Sequence, residues 1–378
     1  MHPILQFGTS RFLQAHVDLF VSEALAAGNA LGNITIVQTT GSAGSARRVA
    51  AFRQADGYPV IVRGCVAGAP FQREQRVTSV ANALQADQDW PQVVEAAVAA
   101  QVIVSNTGDR GYELNPSDSA LLLETWCAPR SFPAKLVVLL HARYLRGAAP
   151  VTLMPCELIA NNGSVLRDIV LDLARAWHMD GGFIHYLAHT CVWVNSLVDR
   201  IVSEALEPVG AVAEPYALWA IEAQPGMVLP CTHPSIVVTE RLEPYERRKL
   251  LMLNLGHSFL AEQWLRDGRP ADETVLQAMA DPVLRAALEA VWEEEVLPLF
   301  AALGEREMSR AYLAEVRDRF NNPYLAHRLA DIAQNHEEKK RRRFVPALQL
   351  AAELGLDLQQ KRLRAALDGT RLAVKEPA

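Results

Sequence analysis

The stretch Ile4-Leu5-Gln6-Phe7-Gly8-Thr9-Ser10-Arg11-Phe12 predicts how the fold of this 378-residue chain begins. Residues 4–7 are typical of a strand, Gly8 opens the turn after it, and residues 11–27 have the pattern of an amphipathic helix. In doubly wound sheets, the helix N-terminus at this position binds the pyrophosphate of a dinucleotide. A plain strand, turn and helix would show the same pattern, because Gly8 is the only glycine present of the usual three-glycine motif.

Strand-like and helical segments continue to alternate along the first two thirds of the chain, which is typical of a parallel sheet with helices on its faces. Further strands are predicted at residues 34–38, 102–105 and 151–154, with an antiparallel pair at 60–64 and 73–78. Helices are predicted at residues 91–100, 133–145 and 163–177. Together these segments predict an α/β fold with a Rossmann-like, mostly parallel sheet.

The pattern changes after about residue 205. Strand signals stop there, except at residues 235–239, and helical segments rich in Ala, Leu and Glu run to the C-terminus. A chain of this length also exceeds one ordinary core. We therefore predict a dinucleotide-binding Rossmann-like domain over residues 1–205 and a mainly α-helical substrate and catalytic domain over residues 206–378.

The composition favours small molecules as partners. Half of the residues are hydrophobic and the formal net charge is −6, which gives no general attraction for nucleic acid or for an anionic membrane. No apolar run is long enough to cross a bilayer, and residues 1–3 lead directly into the first strand without a signal peptide. We expect a cytoplasmic protein that is a monomer or a small homo-oligomer, with no nucleic-acid or membrane partner.

The five cysteines and ten histidines are dispersed along the chain. There is no Cys-x2-Cys pair and no His-Glu-x2-His pair. This spacing indicates neither a disulfide framework nor a metal site.

Two segments near the start are candidates for holding a nucleotide. Thr9 and Ser10 could hold phosphate through their hydroxyls and backbone N–H groups. The second predicted strand ends in Gln38-Thr39-Thr40, where dinucleotide-binding sheets usually have an acidic residue for the ribose. Two interpretations stay open: NAD held through Gln38 and nearby hydroxyls, or NADP with Arg47 or Arg48 near the 2′-phosphate.

Polar segments also follow two later strands. Ser105-Asn106-Thr107-Gly108-Asp109 follows the strand at 102–105, and Asn161-Asn162-Gly163 follows the strand at 151–154. Ligands of such sheets lie beyond the carboxyl ends of the strands, so both segments are placed to line a cleft. Turn formation alone would explain Asn, Asp and Gly at these positions as well.

A helix predicted at residues 244–267 carries polar residues on a face that otherwise looks apolar. At 100° per residue, Lys249, Asn254 and His257 fall within one arc of its helical wheel. Glu246 lies in the same arc, while leucines cover most of the remaining surface. A lysine and an amide buried there are costly unless they are paired or used, which favours a functional site.

The ordered motifs resemble those of the polyol-specific long-chain dehydrogenases, the mannitol dehydrogenase family, which also includes fructuronate and tagaturonate reductases. The resemblance covers nearly the whole chain and includes the family's Lys-x4-Asn-x2-His signature at Lys249, Asn254 and His257. The other matching motifs are Phe7-Gly8 with Arg11-Phe12, Ser105-Asn106-Thr107, Val198-Asp199-Arg200-Ile201 and Trp219-Ala220-Ile221-Glu222. Pro155-Cys156-Glu157-Leu158-Ile159, followed by Asn162-Gly163, is similar to the tagaturonate reductase branch.

The resemblance implies metal-independent hydride transfer between a nicotinamide cofactor, NAD or NADP, and a sugar ketone such as a keto-uronate. Lys249 would give a proton to the developing alkoxide during reduction and take it back during oxidation. Asn254 and Asn162 would donate hydrogen bonds to the carbonyl oxygen, and one such donor is worth about 3–4 kcal/mol. His257 would hold substrate hydroxyls or orient Lys249. The remaining implied site residues are Asp199 and Asp109, which would line the site, and Glu246, which would relay protons to solvent. Lys339 lies near the position where the family has a substrate-binding cation.

Several alternatives stay open. Ser10 replaces the second glycine of the family's nucleotide motif, and Thr107-Gly108-Asp109 stands where the family has Thr-Thr-Glu. A polyol dehydrogenase of the mannitol or arabinitol type, or a fructuronate/mannonate dehydrogenase, is the nearest alternative. A Schiff-base aldolase and an inactive nucleotide-binding sensor are alternatives of other classes. The structural alternatives are a core histidine for His257, an internal ion pair for Asp199-Arg200 and a solvated, ion-paired helix face for Lys339-Lys340-Arg341-Arg342-Arg343.

Overall fold

The computed structural model describes residues 2–40, 43–54, 56–108, 110–125 and 127–368. The chain divides into two compact units. The first unit is Met1–Val62 with Arg73–Leu242, and the second unit is Arg63–Gln72 with Glu243–Ala378. In these described ranges no helix combines the length and the apolar character that crossing a membrane requires.

The first unit is built on a six-stranded parallel sheet. The strands of the described chain are β1 Ile4–Phe7, β2 Ile34–Gln38, β3 Tyr58–Val66, β4 Ala69–Val77, β5 Val80–Gln85, β6 Val102–Ser105, β7 Thr152–Pro155, β8 Val192–Trp193, β9 Ser196–Asp199, β10 Val202–Ala205, β11 Ala211–Ala213, β12 Leu218–Glu222 and β13 Ile236–Thr239. The central sheet has the order β5-β2-β1-β6-β7-β8, and all its neighbouring strands are parallel. Strands β1, β2, β6 and β7 are buried along their whole length, as expected for a parallel sheet covered by helices. The predicted Rossmann-like sheet is confirmed.

Two smaller sheets continue the first unit past the expected change of pattern. They have the orders β10-β11-β3-β4 and β13-β12-β9. The expectation that strands stop at about residue 205 is wrong, because β11 and β12 follow that position as well as the expected strand at 236–239. The chain passes from the first unit to the helical C-terminal part of the second unit between Leu242 and Glu243, later than the predicted boundary at residues 205 and 206.

The hairpin formed by β3 and β4 passes from one unit to the other, because its tip, Arg63–Gln72, belongs to the second unit. The hairpin turns at Ala67-Gly68, where φ is 51° and 77°, the positive values that tight two-residue hairpin turns need. The contacts of the tip include three with residues 318–324: Gly68 N–H donates to Asp318 Oδ1 at 2.9 Å, Cys65 Sγ donates to Asn321 O at 3.3 Å, and the Arg63 guanidinium lies 5.2 Å from the centre of the Tyr324 ring.

The helices of the first unit surround its core. They are α1 Arg11–Leu13, α2 Leu19–Ala26, α3 Ala43–Phe52, α4 Trp90–Ala99, α5 Phe132–Leu145, α6 Asn162–Ala176 and α7 Gly181–His185. The π-helical segment Gln14–Asp18 joins α1 to α2, so one helix runs over residues 11–26, close to the predicted span. The core combines Phe7 and Ile103 of the sheet with Leu136 of α5 and Val170 of α6.

The second unit is helical, apart from the hairpin tip. Its helices are α8 Glu243–Arg248, α9 Leu255–Arg266, α10 Val275–Ala280, α11 Pro282–Ala290, α12 Leu297–Ala302, α13 Arg306–Phe320, α14 Leu329–Ile332, α15 His336–Glu353 and α16 Lys361–Asp368. Trp292, Phe300 and Phe344 are fully buried in its core. Gly256 of α9 allows this packing, because a Cβ there would lie 2.7 Å from Trp292 Cζ2. The predicted α-helical character of the C-terminal region is confirmed.

Candidate active site

The turn after β1 brings Gly8 and Ser10 against Asn106. Gly8 has φ 115°, and a Cβ there would lie 2.6 Å from the main-chain oxygen of Asn106, so this close approach requires glycine. Ser10 caps α1 by accepting from Leu13 N–H at 3.2 Å, and its hydroxyl donates to Asn106 Oδ1 at 3.1 Å. The structure therefore brings together the turn after β1 and the polar segment after β6.

Thr9 and Gln38 also meet at this edge of the sheet. The Thr9 hydroxyl donates to Gln38 Oε1, and Gln38 Nε2 donates to Thr40 Oγ1 at 2.6 Å. Gln38 is buried and Thr39 is half-buried. On α3, Arg47 is exposed and Arg48 is half-buried. This arrangement leaves both cofactor interpretations open, because an amide ends β2 and two arginines follow it.

Glu157 organises the turn after β6. It is 3% exposed, and its carboxylate accepts hydrogen bonds from the turn and from Tyr112. The donors are Ser105 Oγ at 3.0 Å, Thr107 N–H at 3.0 Å, Thr107 Oγ1 at 2.8 Å and Tyr112 OH at 3.4 Å. Burial raises the Glu157 pKa, while the hydrogen bonds from Thr107 and Ser105 act against this rise. The sequence patterns assign Glu157 no role, although its position just after the strand at 151–154 is a signal that could identify it.

Asn162 is buried at the start of α6, and main-chain groups surround its amide. Its Nδ2 donates to the carbonyl oxygens of Pro155, Glu157 and Ser196 at 3.1, 3.0 and 3.0 Å. Its Oδ1 accepts from Gly163 N–H and Ser196 N–H, both at 2.9 Å. Two amide hydrogens therefore serve three acceptors, and Asn162 ties the end of β7 to the start of β9.

The remaining predicted residues of the first unit lie in different surroundings. Arg11 is exposed and donates to the Ser203 carbonyl at 3.1 Å, while Phe12 stacks on His16 with 4.7 Å between the ring centres. Asp199 is buried at the end of β9. Asp109 lies outside the described residues.

In the second unit, Lys249 and Asn254 mark the two ends of a π-helical segment, Lys249–Asn254, between α8 and α9. The helix is continuous over residues 243–266, close to the predicted span. A π segment changes the angle between successive side chains, so a wheel of 100° per residue does not hold across it. Lys249, Asn254 and Glu246 are half-buried rather than fully buried. Short π segments are frequent at functional sites.

His257 is the member of the signature that is buried, with 7% of its surface exposed. Its ring stacks on Phe320 at 4.3 Å between centres and meets the His327 ring at 4.8 Å. Burial lowers the His257 pKa well below 6.5, and the positive charges of His327, Arg319 and Arg343 lower it further. A neutral imidazole can both donate and accept a hydrogen bond, as contact with sugar hydroxyls requires.

The basic run on α15 is not a uniformly solvated face. Arg341 and Arg342 are exposed, but Lys340 is 1% exposed and donates to Glu262 Oε2 at 2.8 Å. Arg343 is half-buried, and its Nη1 donates to the Asn254 carbonyl at 3.2 Å and to Ser258 Oγ at 2.8 Å. The interpretation of the run as a largely solvated, ion-paired face therefore agrees with the exposed Arg341 and Arg342 and fails for the buried Lys340.

Lys339 of the same helix is half-buried. Its Nζ donates to the Ile332 carbonyl at 2.9 Å. Burial lowers the Lys339 pKa, and the charge of Arg343 adds to this effect, so these two cations are neighbours. Lys339 also lowers the His327 pKa, which is already lowered by burial. Arg319 and Arg343 thus lie near His257, and Lys339 lies near Arg343 and His327.

Comparison with known proteins gives matches for both units. The mannitol dehydrogenase Rossmann domain matches residues 2–228, and the mannitol dehydrogenase C-terminal domain matches residues 241–368. An altronate oxidoreductase of Bacillus subtilis (strain 168) is 30% identical over 93% of this chain and 75% of its own length. An altronate oxidoreductase of Halalkalibacterium halodurans is 31% identical over 91% of this chain and 69% of its own length.

Two solved structures share the fold. A substrate-free D-sorbitol dehydrogenase has a TM-score of 0.79 at 22% identity, over 97% of this chain and 79% of its own. The Pseudomonas fluorescens mannitol 2-dehydrogenase, in a ternary complex with NAD and D-mannitol, has a TM-score of 0.68 at 19% identity, over 96% of this chain and 78% of its own. The resemblance inferred from the motifs is confirmed: this chain belongs to the mannitol dehydrogenase family and is an oxidoreductase.

Proposed function

We propose that this enzyme transfers hydride between a nicotinamide cofactor and a keto-uronate/aldonate pair of the tagaturonate/altronate type. The observation that carries the proposal is a group of cations in the second unit. Arg343 donates to the Asn254 carbonyl, Arg319 and Arg343 lower the pKa of His257, and Lys339 lies four residues before Arg343 on α15. A sugar acid brings a carboxylate that such cations bind by charge-assisted hydrogen bonds, whereas a neutral ketose or polyol brings none. The names of the curated relatives agree with a sugar acid as substrate.

The residues of the first unit fit a dinucleotide. At Gly8 any side chain would collide with the main chain of Asn106, and Ser10 begins a helix whose N-terminus favours phosphate. In the proposal, Gly8, Thr9, Ser10, Arg11 and Phe12 hold the pyrophosphate side, Gln38 and Thr39 hold the adenosine ribose, and Ser105, Asn106 and Thr107 hold the nicotinamide side. The bound nicotinamide supplies the hydride in reduction and accepts it in oxidation.

Lys249 supplies the proton that the hydride transfer requires. In reduction its ammonium protonates the alkoxide oxygen as that oxygen gains charge, and in oxidation its neutral amine removes the hydroxyl proton. Glu246, one turn earlier and half-buried, exchanges this proton with solvent. Because Lys249 is half-buried and keeps part of its surface exposed, it can reach both a substrate and water.

Asn254 is the first donor to the substrate oxygen in this proposal, and Asn162 is the second. The two amide hydrogens of Asn162 already serve three main-chain acceptors. Asn162 can take this role if the substrate oxygen replaces one of these acceptors. Two amide donors and an ammonium group polarise a carbonyl without a metal. We therefore expect a chelator to leave the activity unchanged. Asp199 and Asp109 complete the proposed site.

The test is one kinetic panel that pairs NADH and NADPH with tagaturonate, fructuronate, fructose and a ketopentose. The proposal predicts the highest kcat/KM with a keto-uronate. The absence of any nicotinamide absorbance change in either direction of reaction would refute it. Cofactor binding without turnover in the wild-type protein would favour a sensor, and a borohydride-trapped substrate adduct on Lys249 would favour a Schiff-base enzyme.

A further inference from the structure

Arg343 differs from Lys340 and Arg317 of the second unit in its hydrogen-bond partners. Nη1 donates to the Asn254 carbonyl and to Ser258 Oγ, which are both neutral oxygens. These are the bonds that the described part of the chain gives this guanidinium, so Nη2 and Nε have no protein acceptor there. By contrast, Lys340 meets Glu262 at 2.8 Å and Arg317 meets Glu289 at 2.6 Å.

The environment of this half-buried guanidinium favours the binding of an anion. Burying part of a cation costs free energy that neutral oxygens recover incompletely, and a carboxylate recovers it best through two parallel N–H···O bonds. The planar fork of Nη2 and Nε is the face of arginine that binds a carboxylate in this way. On Arg343 this face is the one that the protein leaves without an acceptor.

Arg343 lies next to the helix that carries Lys249, Asn254 and His257. Its guanidinium is bonded to the main chain of Asn254, the residue proposed to hold the substrate oxygen. It is also close enough to His257 to lower the pKa of that imidazole. An anion bound here would lie beside the residues that hold the sugar, as a carboxylate on the same small molecule would.

We propose that Arg343 binds the carboxylate of the sugar acid and so determines the preference for keto-uronates over neutral ketoses. This inference rests on the proposed function, because it assumes that Asn254 and His257 hold the sugar. The rival explanation is structural: Arg343 could only hold the Asn254 carbonyl at the end of the π segment. The two explanations differ in whether the effect of a substitution depends on the charge of the substrate.

The experiment compares Arg343→Gln with the wild type on tagaturonate and on tagatose, its neutral counterpart. We expect kcat/KM for tagaturonate to fall about tenfold to hundredfold, mainly through KM, and kcat/KM for tagatose to change less than about threefold. Arg343→Lys should restore part of the loss. Arg342→Gln is the matched control on the same helix, since that side chain is 78% exposed, and it should change neither value.

Binding measurements extend the test to a ligand pair that needs no turnover. Calorimetric titration of altronate and of the corresponding alditol, with oxidised cofactor present, should show weaker binding to Arg343→Gln for altronate alone. Equal losses on charged and neutral ligands would establish the structural role and overturn the inference. Unchanged binding of both altronate and the alditol to Arg343→Gln would also overturn the inference. If the wild-type protein reduces no keto-uronate, the proposed function fails first, whereas wild-type activity that is insensitive to Arg343 refutes the inference alone.

Discussion

Asp18 should make the folded protein less stable as the pH rises through the weakly acidic range. It is fully buried at the end of the π segment Gln14–Asp18, and it accepts a hydrogen bond from Tyr58 OH at 2.7 Å. Burial raises the Asp18 pKa from 3.8 to about 7, although hydrogen bonds with Tyr58 and Gln6 oppose the rise. The folded state therefore favours the protonated carboxyl group.

The size of the effect follows from proton linkage. A carboxyl group whose pKa is raised on folding gives stability that is fully present below pH 3.8 and is lost as the pH rises to about 7. Each pH unit in that window is worth about 1.4 kcal/mol. Replacing Asp18 by Asn removes the titration and keeps an oxygen that can accept from Tyr58. Between about pH 4.5 and about pH 8, the free energy of unfolding of Asp18→Asn should therefore gain about 3 kcal/mol relative to the wild type.

Urea denaturation of both proteins across this pH range measures the difference. Asp172→Asn serves as the control, because that side chain is 76% exposed on α6 and its substitution should give no comparable trend. The reasoning would be refuted if the difference in the free energy of unfolding between Asp18→Asn and the wild type did not change with pH. A difference of the opposite sign would show that the bond from Tyr58 outweighs burial.

Three further predictions concern the site and its support. Lys249→Met should lower kcat about a thousandfold. The dissociation constant for NADH, measured by fluorescence titration, should stay within about twofold of the wild-type value. A loss of NADH binding as large as the loss of kcat would contradict a proton-transfer role. Glu157→Ala should weaken NADH binding about tenfold because Thr107 N–H loses its buried acceptor. The control Asp118→Ala, which also removes bonds to main-chain N–H and hydroxyl donors, should not weaken NADH binding. Lys340→Met should lower the free energy of unfolding by about 3–5 kcal/mol, because its carboxylate partner stays buried, whereas Arg342→Gln should change it by less than about 0.5 kcal/mol.

Much of the fold could be predicted from local sequence patterns. The strands at 4–7, 34–38 and 102–105 are apolar, β-branched runs, and they were placed correctly because both faces of a parallel strand are buried. Strands Val80–Gln85 and Ala211–Ala213 gave weaker signals. The first contains Asn82, and the second is a short segment of mostly small residues whose pairing with β3 depends on a partner far away in sequence.

The candidate site was only partly predictable, because burial and charge pairing depend on distant residues. Nothing near Lys340 in sequence shows that Glu262 neutralises it inside the core. Likewise, Glu157 gains its donors only when the turn after β6 folds against the end of β7. The change to a π-helix at Lys249 has no local sequence signal, and it alters the angles at which the signature side chains leave the helix. Their functional roles stay predictions until they are tested.

The crossing of the β3–β4 hairpin between the units has a consequence for how this protein can be dissected. A fragment that starts at Glu243 would lack the tip, Arg63–Gln72, and so Asp318, Asn321 and Tyr324 would lose their contacts with it. A fragment that ends at Leu242 would carry the tip without its partners. The two units therefore cannot be exchanged between relatives as simple consecutive gene segments. A working chimera has to take residues 63–72 from the same parent as the C-terminal unit.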